Sequence, residues 1–286
     1  DLDMRVSDIT PSKRTAVSRP VEPIRMAFLL VPQFPMLAFA SAIEPLRAAN
    51  RLAEATLFEW TLVTIDGRAV CASNGIEIAA QASFAELSRP DMVIVCAGLE
   101  PLQFGRKHAI HHHLRRIARH GAKVGAISSG AFILADAGLL TDRRATVHWE
   151  YAELFRARYP QVRLTRALYV VDRDVFTCSG GTAALDMMSH FIGEQFGAPL
   201  AHTVAEQFIH PRIRGTEEAQ RAEIPDRYAI GSPRLAKAIE LMESTLDAPL
   251  SLREIARRVG VSTRQIERLF VDELQVAPTA FYRQRR

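Results

Sequence analysis

The sequence has no run of apolar residues that approaches the roughly 20 residues of a membrane-spanning helix, so no membrane contact is expected. Residues 1–23 lack the apolar stretch of a secretory signal. Because they are polar and contain three prolines, we expect a disordered tail. Cysteine is scarce, with three in 286 residues, and their spacing matches no metal site. We therefore expect reduced thiols in a cytoplasmic protein, and no cofactor.

Charge is unevenly distributed along the chain, whose formal net charge is +4. Residues 233–286 contain ten Lys and Arg against seven Asp and Glu, a net charge of +3, so the other 232 residues carry only +1. With 48% hydrophobic residues overall, the chain can bury a large core. A basic module attached to a nearly neutral domain favours a polyanionic partner for the smaller part.

Apolar runs of strand length alternate with helical patterns before residue 210. This alternation predicts an α/β fold, with a mostly parallel sheet covered by helices on both faces. Ligands of such sheets bind beyond the carboxyl ends of the strands. The predicted strands are 25–31, 58–65, 91–96, 123–127, 168–171 and 175–178. The predicted helices are 38–52, 106–120, 131–140, 149–159 and 181–196.

The stretch from Ala122 to Glu150 contains an abrupt change from strand to helix. A short apolar strand ends at Ile127, the turn is Ser128-Ser129-Gly130, and apolar residues then recur at helical spacing. Such a turn holds its side chain above the sheet beside free N–H groups, as in a nucleophile elbow or an anion-binding site. Simple helix capping by the serine pair is the alternative.

Five residues are predicted to converge on this edge of the sheet and to bind a small ligand. Glu44 offers a carboxylate, Gly98 lets a backbone amide approach the ligand, and Ser128 and Ser129 offer hydroxyls. His148 follows the elbow helix and is a conceivable base. The alternatives are that Glu44 is a solvated helix acid and that His148 caps a helix.

Five histidines between residues 108 and 120 raise the question of a metal site. His108 and His112 fall at i, i+4 on one helical face, a spacing that metal ligands use. No acid or cysteine nearby completes a ligand set, and four arginines surround the histidines. We therefore interpret the segment as a solvated basic helix face and expect no metal.

Residues 233–286 contain the pattern of a helix-turn-helix. Ser251 begins a capping box, Ala256 allows two helices to cross closely, and Gly260 takes the dihedral angle of the turn. Arginine and glutamine on the exposed side of the second helix suit guanine and adenine edges in a major groove. The predicted DNA-binding residues are Ser262, Thr263, Arg264, Gln265 and Arg268. An ordinary α-helical hairpin is the alternative.

Glycines and prolines interrupt the polar segment 210–232, which is typical of a linker. The sequence therefore predicts two domains. Residues 24–209 form the ligand-binding α/β domain, and residues 233–286 form the helix-turn-helix domain.

Three runs of the sequence resemble AraC/XylS-type transcription regulators that carry an N-terminal class I glutamine amidotransferase-like (PfpI-like) sensor domain. They are VGAISSGAFILADAGLLTDRRATVHWE, LYVVDRDVFTCSGGTAALDMMSHFIGEQFG and ASAIEPLRAANRL. The resemblance begins near Pro23 and is closest to the regulators that respond to betaine and carnitine. It implies a flavodoxin-like fold and a small effector, either amino-acid-like or a quaternary-ammonium compound. In the family pattern Glu44 is the acid that faces the elbow, and Gly98 is the glycine of the adjacent loop.

Ser128 occupies the position of the family's cysteine. A cysteine at a helix N-terminus is partly thiolate at neutral pH, whereas a serine hydroxyl stays protonated and needs a positioned base. The sequence assigns no acid that would orient His148 as such a base. We therefore expect a sensor rather than an enzyme. An amidase or hydrolase that uses Ser128 and His148 is the alternative.

The resemblance also implies partners. They are DNA, a small-molecule effector, and a second copy of the chain bound through the N-terminal domain. Segment Ala277–Tyr282 resembles the entry to the long linker helix of the AraC/XylS DNA-binding domain, which the family follows with a second helix-turn-helix. The sequence as given stops at Arg286, before such a module.

Overall fold

The computed structural model describes residues 22–98, 108–221, 224–246 and 248–285. These residues form two compact units, with the division between Gln220 and Arg221. Within the described ranges no helix is both long and apolar enough to cross a bilayer.

A central sheet is the framework of the first unit. The strands are β1 (Ile24–Leu30), β2 (Phe58–Thr64), β3 (Val70–Cys71), β4 (Glu77–Ile78), β5 (Ala82–Ser83), β6 (Met92–Ala97), β7 (Lys123–Ser128), β8 (Arg144–Ala145), β9 (Arg163–Leu164), β10 (Tyr169–Asp172) and β11 (Val175–Cys178). Seven of them form one sheet in the order β10-β11-β7-β6-β1-β2-β5. Its neighbouring pairs are parallel except β10–β11, an antiparallel hairpin.

Helices cover both faces of this sheet. They are α1 (Met36–Ala53), α2 (His108–Arg119), α3 (Gly130–Asp136), α4 (Ala152–Arg158), α5 (Ala183–Phe196) and α6 (Ala198–Gln207). Helices α1, α5 and α6 pack on one face against residues such as Phe28 and Ile94. Helices α2, α3 and α4 pack on the other face against Leu29 and Val95. Because successive side chains of a strand point to opposite faces, each central strand contributes to both cores and is apolar along most of its length.

The predicted α/β architecture is confirmed, and each predicted strand and helix of the first unit is present to within a few residues. The helix predicted at 149–159 begins as a 3₁₀ turn, Trp149–Tyr151, before α4. The sequence patterns missed α6 and the short strands β3, β4, β5, β8 and β9. Each of these strands has only two residues, too few to show a period. The tail up to residue 21, and residues 106 and 107 of one predicted helix, lie outside the described residues.

The segment predicted to be a linker, 210–232, divides between the two units. Residues up to Gln220 belong to the first unit. There His210 contacts Asp186 of α5, and Ala219 forms a β-bridge with Ala167. The rest contains a helix of the second unit, α7 (Ile224–Tyr228). The structure therefore places the division at residues 220–221, because long-range hydrogen bonds that composition does not reveal satisfy the polar groups of 210–220.

The second unit is a small helical domain. After α7 its helices are α8 (Pro233–Glu243), α9 (Leu252–Val259), α10 (Thr263–Leu274) and α11 (Pro278–Arg285). Ile255, Ile266 and Phe270 are completely buried, and Leu252, Val259 and Leu269 pack against them partly buried. The rings of Phe270 and Phe281 meet edge to face, with 5.3 Å between their centroids. Helix α11 therefore completes the core around the helix-turn-helix.

Candidate functional site

The turn between β7 and α3, residues 128–130, is the elbow that the sequence predicted. β7 ends at Ser128, which pairs with Ala97 of β6 and has a backbone φ of 59°. This left-handed conformation costs a non-glycine residue roughly 1–2 kcal/mol, so the surrounding packing must hold it. Gly130 contributes to that packing, since a Cβ there would lie 2.4 Å from the carbonyl oxygen of Val95. The elbow is therefore a rigid turn, in which Ser128 is only 6% exposed.

Ser129 joins the elbow to the loop after β6. Its hydroxyl donates a hydrogen bond of 2.5 Å to the carbonyl oxygen of Gly98 and makes no capping bond to α3. Gly98 in turn lies against the loop after β1. A Cβ at this position would lie 2.2 Å from the carbonyl oxygen of Gln33 and 2.9 Å from Cδ of Pro35. The structure thus brings Gly98, Ser128 and Ser129 together at the carboxyl ends of β1, β6 and β7.

The loop after β11 forms another wall of the elbow. Gly180 has a φ of 99°, and a Cβ built there would lie 3.1 Å from Cβ of Ser128. Glycine is needed because both the conformation and the close approach exclude a side chain. Helix α5 begins three residues later, at Ala183, so its amino end lies beside the elbow.

Sequence analysis missed a buried carboxylate behind this wall. Asp186 of α5 is completely buried. Its Oδ1 accepts hydrogen bonds of 2.7 Å from Nε2 of His210 and from the backbone N–H of Arg214. Its Oδ2 accepts from the guanidinium of Arg214, with Nε at 2.9 Å and Nη2 at 2.6 Å. A buried charge needs such compensation. The available signal was one acid among the apolar residues of α5, but its partners lie 24 and 28 positions away and no spacing rule finds them.

Arg214 places a guanidinium at the amino end of α5. Nη2 donates a further hydrogen bond of 2.8 Å to Oγ1 of Thr182, and the arginine side chain is 28% exposed. Thr182 lies two residues after Gly180, in the loop that touches Ser128. A cation and the amino end of a long helix both attract an anion. This arrangement can therefore bind a carboxylate.

Among the described residues Glu44 forms no hydrogen bond or ion pair with this group, so its predicted place in the site stays a prediction. It is half-buried on α1, directly before the buried Pro45 and four residues before the buried Ala48. Within the part of the chain that is described, its carboxylate contacts only Arg47, with Oε2 2.8 Å from Nε. Both side chains are nearly half exposed, so the pair contributes about 1 kcal/mol or less. The placement matches the alternative of a solvated helix acid.

His148 lies after β8 and bonds to its own segment. Its Nδ1 accepts from the N–H of Glu150 at 3.4 Å, as a helix-capping side chain does. Burial lowers the pKa of His148, and the nearby Glu150 carboxylate opposes this effect. The ring is therefore neutral at pH 7. Among the described residues no hydrogen bond joins His148 to Ser128, so the base that a serine nucleophile requires is not in place.

The two cysteines of the sheet offer no alternative nucleophile. Cys96 and Cys178 are both buried. Burial raises the pKa of Cys178 to about 12 and also raises the pKa of Cys96. Both thiols are protonated at neutral pH, and the thiolate is the reactive form.

The histidines of α2 only partly form the solvated basic face that the sequence predicted. His112 and His120 are exposed, but His111 and His113 are buried. The ring of His113 packs edge-on against Phe84, with 4.6 Å between centroids. The helical pattern misled because histidine, with its apolar ring, can face a core. The side chain of His108 lies outside the described residues, and no group of three possible metal ligands occurs among those described.

In the second unit the predicted turn of the helix-turn-helix is confirmed. Gly260 ends α9 with a φ of 81°, and its N–H donates to the carbonyl oxygen of Ala256 at 2.9 Å. The N–H of Val261 donates to the same oxygen at 3.0 Å. Ala256 is 2% exposed, so a small side chain is needed at this crossing of the helices.

The predicted DNA-binding residues begin α10. Ser262 and Gln265 form a capping box: Oγ of Ser262 accepts from the N–H of Gln265, and Oε1 of Gln265 accepts from the N–H of Ser262. The amide nitrogen of Gln265 is left to donate to a base. Arg264 is exposed and, among the described residues, pairs with no acid, whereas Arg268 lies 4.0 Å from Asp272. Arg264 is therefore the best-placed side chain for reading a base.

This chain is similar in sequence to known transcriptional regulators. Residues 28–194 match the model of the DJ-1/PfpI family. Over 255 residues the chain is 40% identical to the HTH-type transcriptional regulator CdhR of Pseudomonas aeruginosa, covering 89% of this chain and 75% of that protein. It is 39% identical over 261 residues to the HTH-type transcriptional regulator GbdR of the same species, covering 91% and 71%. These similarities extend over both units.

The solved structure of a regulator is also similar to this chain. An AraC family transcriptional regulator from Pseudomonas putida superposes with a TM-score of 0.60 and 32% identity, covering 65% of this chain and 100% of that one.

A more distant relative in sequence is the isonitrile hydratase of Pseudomonas putida, 26% identical over 248 residues and covering 83% of this chain and 96% of that protein. The fold thus accommodates regulators and an enzyme, and the site must decide between them.

Proposed function

Because the chain belongs to the DJ-1/PfpI family and to the helix-turn-helix transcriptional regulators that carry this domain, we propose that its first unit senses a small molecule without converting it. The second unit binds DNA in response. The observation that carries the sensing role is the elbow, where a buried serine stands at the position that the family resemblance gives to a cysteine, and a guanidinium lies at the amino end of α5. Such a site has the charge to bind a ligand and lacks an activated nucleophile.

The effector site is bounded by Gly98, Ser128, Gly180 and Arg214. Its cation and the amino end of α5 favour a ligand that carries a carboxylate. We propose an amino-acid-like or quaternary-ammonium zwitterion, with the carboxylate on Arg214. Trp149 is 42% exposed and offers an aromatic face to the ammonium group, a contact worth about 0.5–1 kcal/mol at an exposed site.

The regulator is further proposed to act as a homodimer through the first unit, in the cytoplasm. A two-fold dimer doubles the number of reading helices and matches the symmetry of palindromic operators. The three cysteines are all free thiols, as a reducing compartment requires.

The sensing role is tested by calorimetric titration of the full chain with glycine betaine, carnitine and amino acids. We expect one of these compounds to bind and to change the affinity for a DNA fragment selected by the chain from a random pool. Arg214→Lys should weaken that compound more than tenfold, because an ammonium group cannot keep the hydrogen bonds to Asp186 and Thr182 and also donate to the carboxylate of the ligand. Glu44→Gln should also weaken binding, because it removes the carboxylate predicted to face the ammonium group; unchanged affinity would remove Glu44 from the site. Failure of all three compound classes would exclude this effector chemistry.

Ser128→Ala is expected to leave both effector binding and the DNA response largely intact, since no covalent step is needed. The wild-type chain should not turn over amides, esters or isonitriles, because among the described residues no histidine is hydrogen-bonded to Ser128 and the elbow has no cysteine. Steady-state kinetic assays of the wild-type and Ser128→Ala proteins on these substrates measure the turnover. Turnover by the wild type that disappears in Ser128→Ala would establish the hydrolase alternative instead.

Arg264→Ala is expected to weaken binding to the selected DNA by about 1–3 kcal/mol while changing binding to unrelated DNA little, if Arg264 reads a base edge. Arg234→Ala is the control: this arginine is also exposed, but on α8. Fluorescence anisotropy at two salt concentrations separates base reading from phosphate contact, which is steeply salt-dependent. An equal loss on specific and unrelated DNA would reassign Arg264 to the phosphates.

A further inference from the structure

The exposed side of α2 carries a cluster of arginines. Arg115, Arg116 and Arg119 line a shallow cleft of about 260 Å³ together with His112 and His120, and no acid of the described residues lines it. The hydrogen bonds of these guanidiniums go to a backbone carbonyl and to a histidine ring, not to a carboxylate. Side chains at i, i+3 and i, i+4 spacing lie about 5–6 Å apart, and like charges at this spacing destabilise a helix. The cluster therefore weakens α2 unless an anion covers it.

The cleft continues into a basic edge of the sheet, at the amino ends of β1, β6 and β7, with which it shares Arg116 and His120. Together the two form one basic surface, which carries six Arg and Lys against two acids, a net charge of +4. These residues are Arg25, Arg89, Arg115, Arg116, Arg119 and Lys123, with the acids Glu86 and Asp91. Residues 1–232 carry only +1 in total, so the others among them carry −3. Positive charge is thus concentrated on this surface.

The end of helix α2 explains only part of this charge. Cations in the last turn of a helix interact favourably with its macrodipole, and Arg116 and Arg119 lie there. The macrodipole corresponds to roughly half a negative charge, and the other four cations lie outside this turn. An external anion is needed to balance the surface.

The size and composition of the basic surface favour a polyanion. The cleft is smaller than the roughly 300 Å³ of small-molecule pockets, whereas α2 has 12 residues and is about 18 Å long. The apolar residues Ile110, Leu114 and Ile117 of α2 face the core, so they are not available to enter a membrane. A two-fold interface between copies of the chain would bring like charges together. Duplex DNA presents one negative charge per roughly 1.7 Å of its axis and needs no apolar contact.

We propose that the basic surface is a second DNA contact of the chain and binds the phosphate backbone beside the sequence that the second unit reads. The proposal rests on the DNA binding proposed for the second unit, since one chain carries both units and a duplex bound by one is at high effective concentration for the other. Guanidiniums bind phosphate irrespective of base sequence. The basic surface therefore adds affinity and salt dependence, and the second unit supplies the specificity.

Fluorescence anisotropy of the full chain on two duplexes tests the proposal. One duplex contains only the selected site, and the other extends it by two helical turns, about 20 base pairs, on each side. The extended duplex should bind more tightly. Arg116→Gln/Arg119→Gln should lower the affinity for the extended duplex about tenfold and leave the short duplex unchanged. Because each phosphate contact contributes about 0.9 to the slope of log K against log salt concentration, the slope on the extended duplex should fall in magnitude by about 2.

Three further variants separate charge from structure. Arg116→Lys/Arg119→Lys keeps the charge and should retain most of the affinity, because lysine also binds phosphate as a point charge. Arg119→Gln alone leaves the contact of Arg116 with His113 in place and should lower the slope by about 1. Arg68→Gln/Arg166→Gln is the matched control: it removes two exposed arginines outside the basic surface and should change neither duplex.

Equal binding of both duplexes by the wild type overturns the proposal, as does an equal loss of affinity in Arg68→Gln/Arg166→Gln. Cosedimentation with vesicles of phosphatidylcholine and phosphatidylserine tests the competing partner. Vesicle binding that Arg116→Gln/Arg119→Gln abolishes, with DNA binding unchanged, would assign the basic surface to a membrane instead. Failure of the second unit's role gives another pattern: Arg264→Ala would leave both duplexes unchanged, while Arg116→Gln/Arg119→Gln would still weaken the extended one.

Discussion

Arg214→Ala is expected to destabilise the first unit by about 3 kcal/mol, because it removes one partner of a buried ion pair. Asp186 is completely buried, and its Oδ2 receives both of its hydrogen bonds from the guanidinium. Truncation leaves this oxygen charged and without a donor from that side chain. The unfolded chain solvates the carboxylate with water, so the loss falls on the folded state. Urea denaturation gives the free energy of unfolding.

Two controls separate this effect from a general loss of charge. Arg212→Ala removes a neighbouring arginine whose partner Glu218 lies at the surface, and it should change the free energy of unfolding by about 0.5 kcal/mol or less. The double variant Arg214→Ala/Asp186→Asn should be more stable than Arg214→Ala alone, since it also removes the buried charge. If the two changes simply add, the carboxylate is not the source of the instability.

Gly98→Ala is expected to abolish effector binding at the elbow and to destabilise the first unit by about 3 kcal/mol. The new Cβ would lie 2.2 Å from the carbonyl oxygen of Gln33, an atom of the backbone, so the loop after β1 has to move. That movement also strains the hydrogen bond from Ser129 to the carbonyl oxygen of Gly98. The elbow then loses two of the loops that enclose it. Titration with the effector and urea denaturation of the same protein give both quantities.

Gly193→Ala is the matched control for Gly98→Ala. Gly193 lies inside α5, and a Cβ there would meet only Cβ of Ala201, at an ordinary distance of 3.5 Å. Alanine is favoured over glycine within a helix by roughly 0.5–1 kcal/mol, so this variant should be slightly more stable and should bind the effector normally. Unchanged stability and effector binding in Gly98→Ala would show that the loop after β1 moves freely and does not enclose the site.

Part of the elbow site was predictable because it follows from a rule of topology. Residues at the carboxyl ends of adjacent parallel strands meet, so Gly98, Ser128 and Ser129 could be grouped before the sheet was seen. For Glu44 no such rule applies, and its place in the site stays a prediction. Its helix is rich in alanine on the buried side, so hydrophobicity marks the inward face of α1 only weakly.

The ion pair of Asp186 and Arg214 could not be predicted from the sequence, for a different reason. Asp186 lies in the predicted α/β domain and Arg214 in the segment predicted to be a linker, and their contact depends on how residues 210–220 fold back on α5. No local preference specifies such a contact. It results from the need to satisfy a buried carboxylate once the core has formed.

The sequence by itself determined the elements with local signals. Period-2 and period-3.6 patterns, the N-cap serines Ser251 and Ser262 and the turn glycine Gly260 specified the strands, most helices and the helix-turn-helix, because these features depend on neighbours a few positions away. The capping box predicted at Ser251 forms only in part, because the carboxylate of Glu254 bonds to Arg257 and Arg258. The tertiary structure alone decided which faces of those elements meet. It turned His113 into the core and placed Arg214 at the amino end of α5, on the buried carboxylate of Asp186. Each of these outcomes depends on distances between residues far apart in the chain, which packing fixes and the linear pattern does not encode.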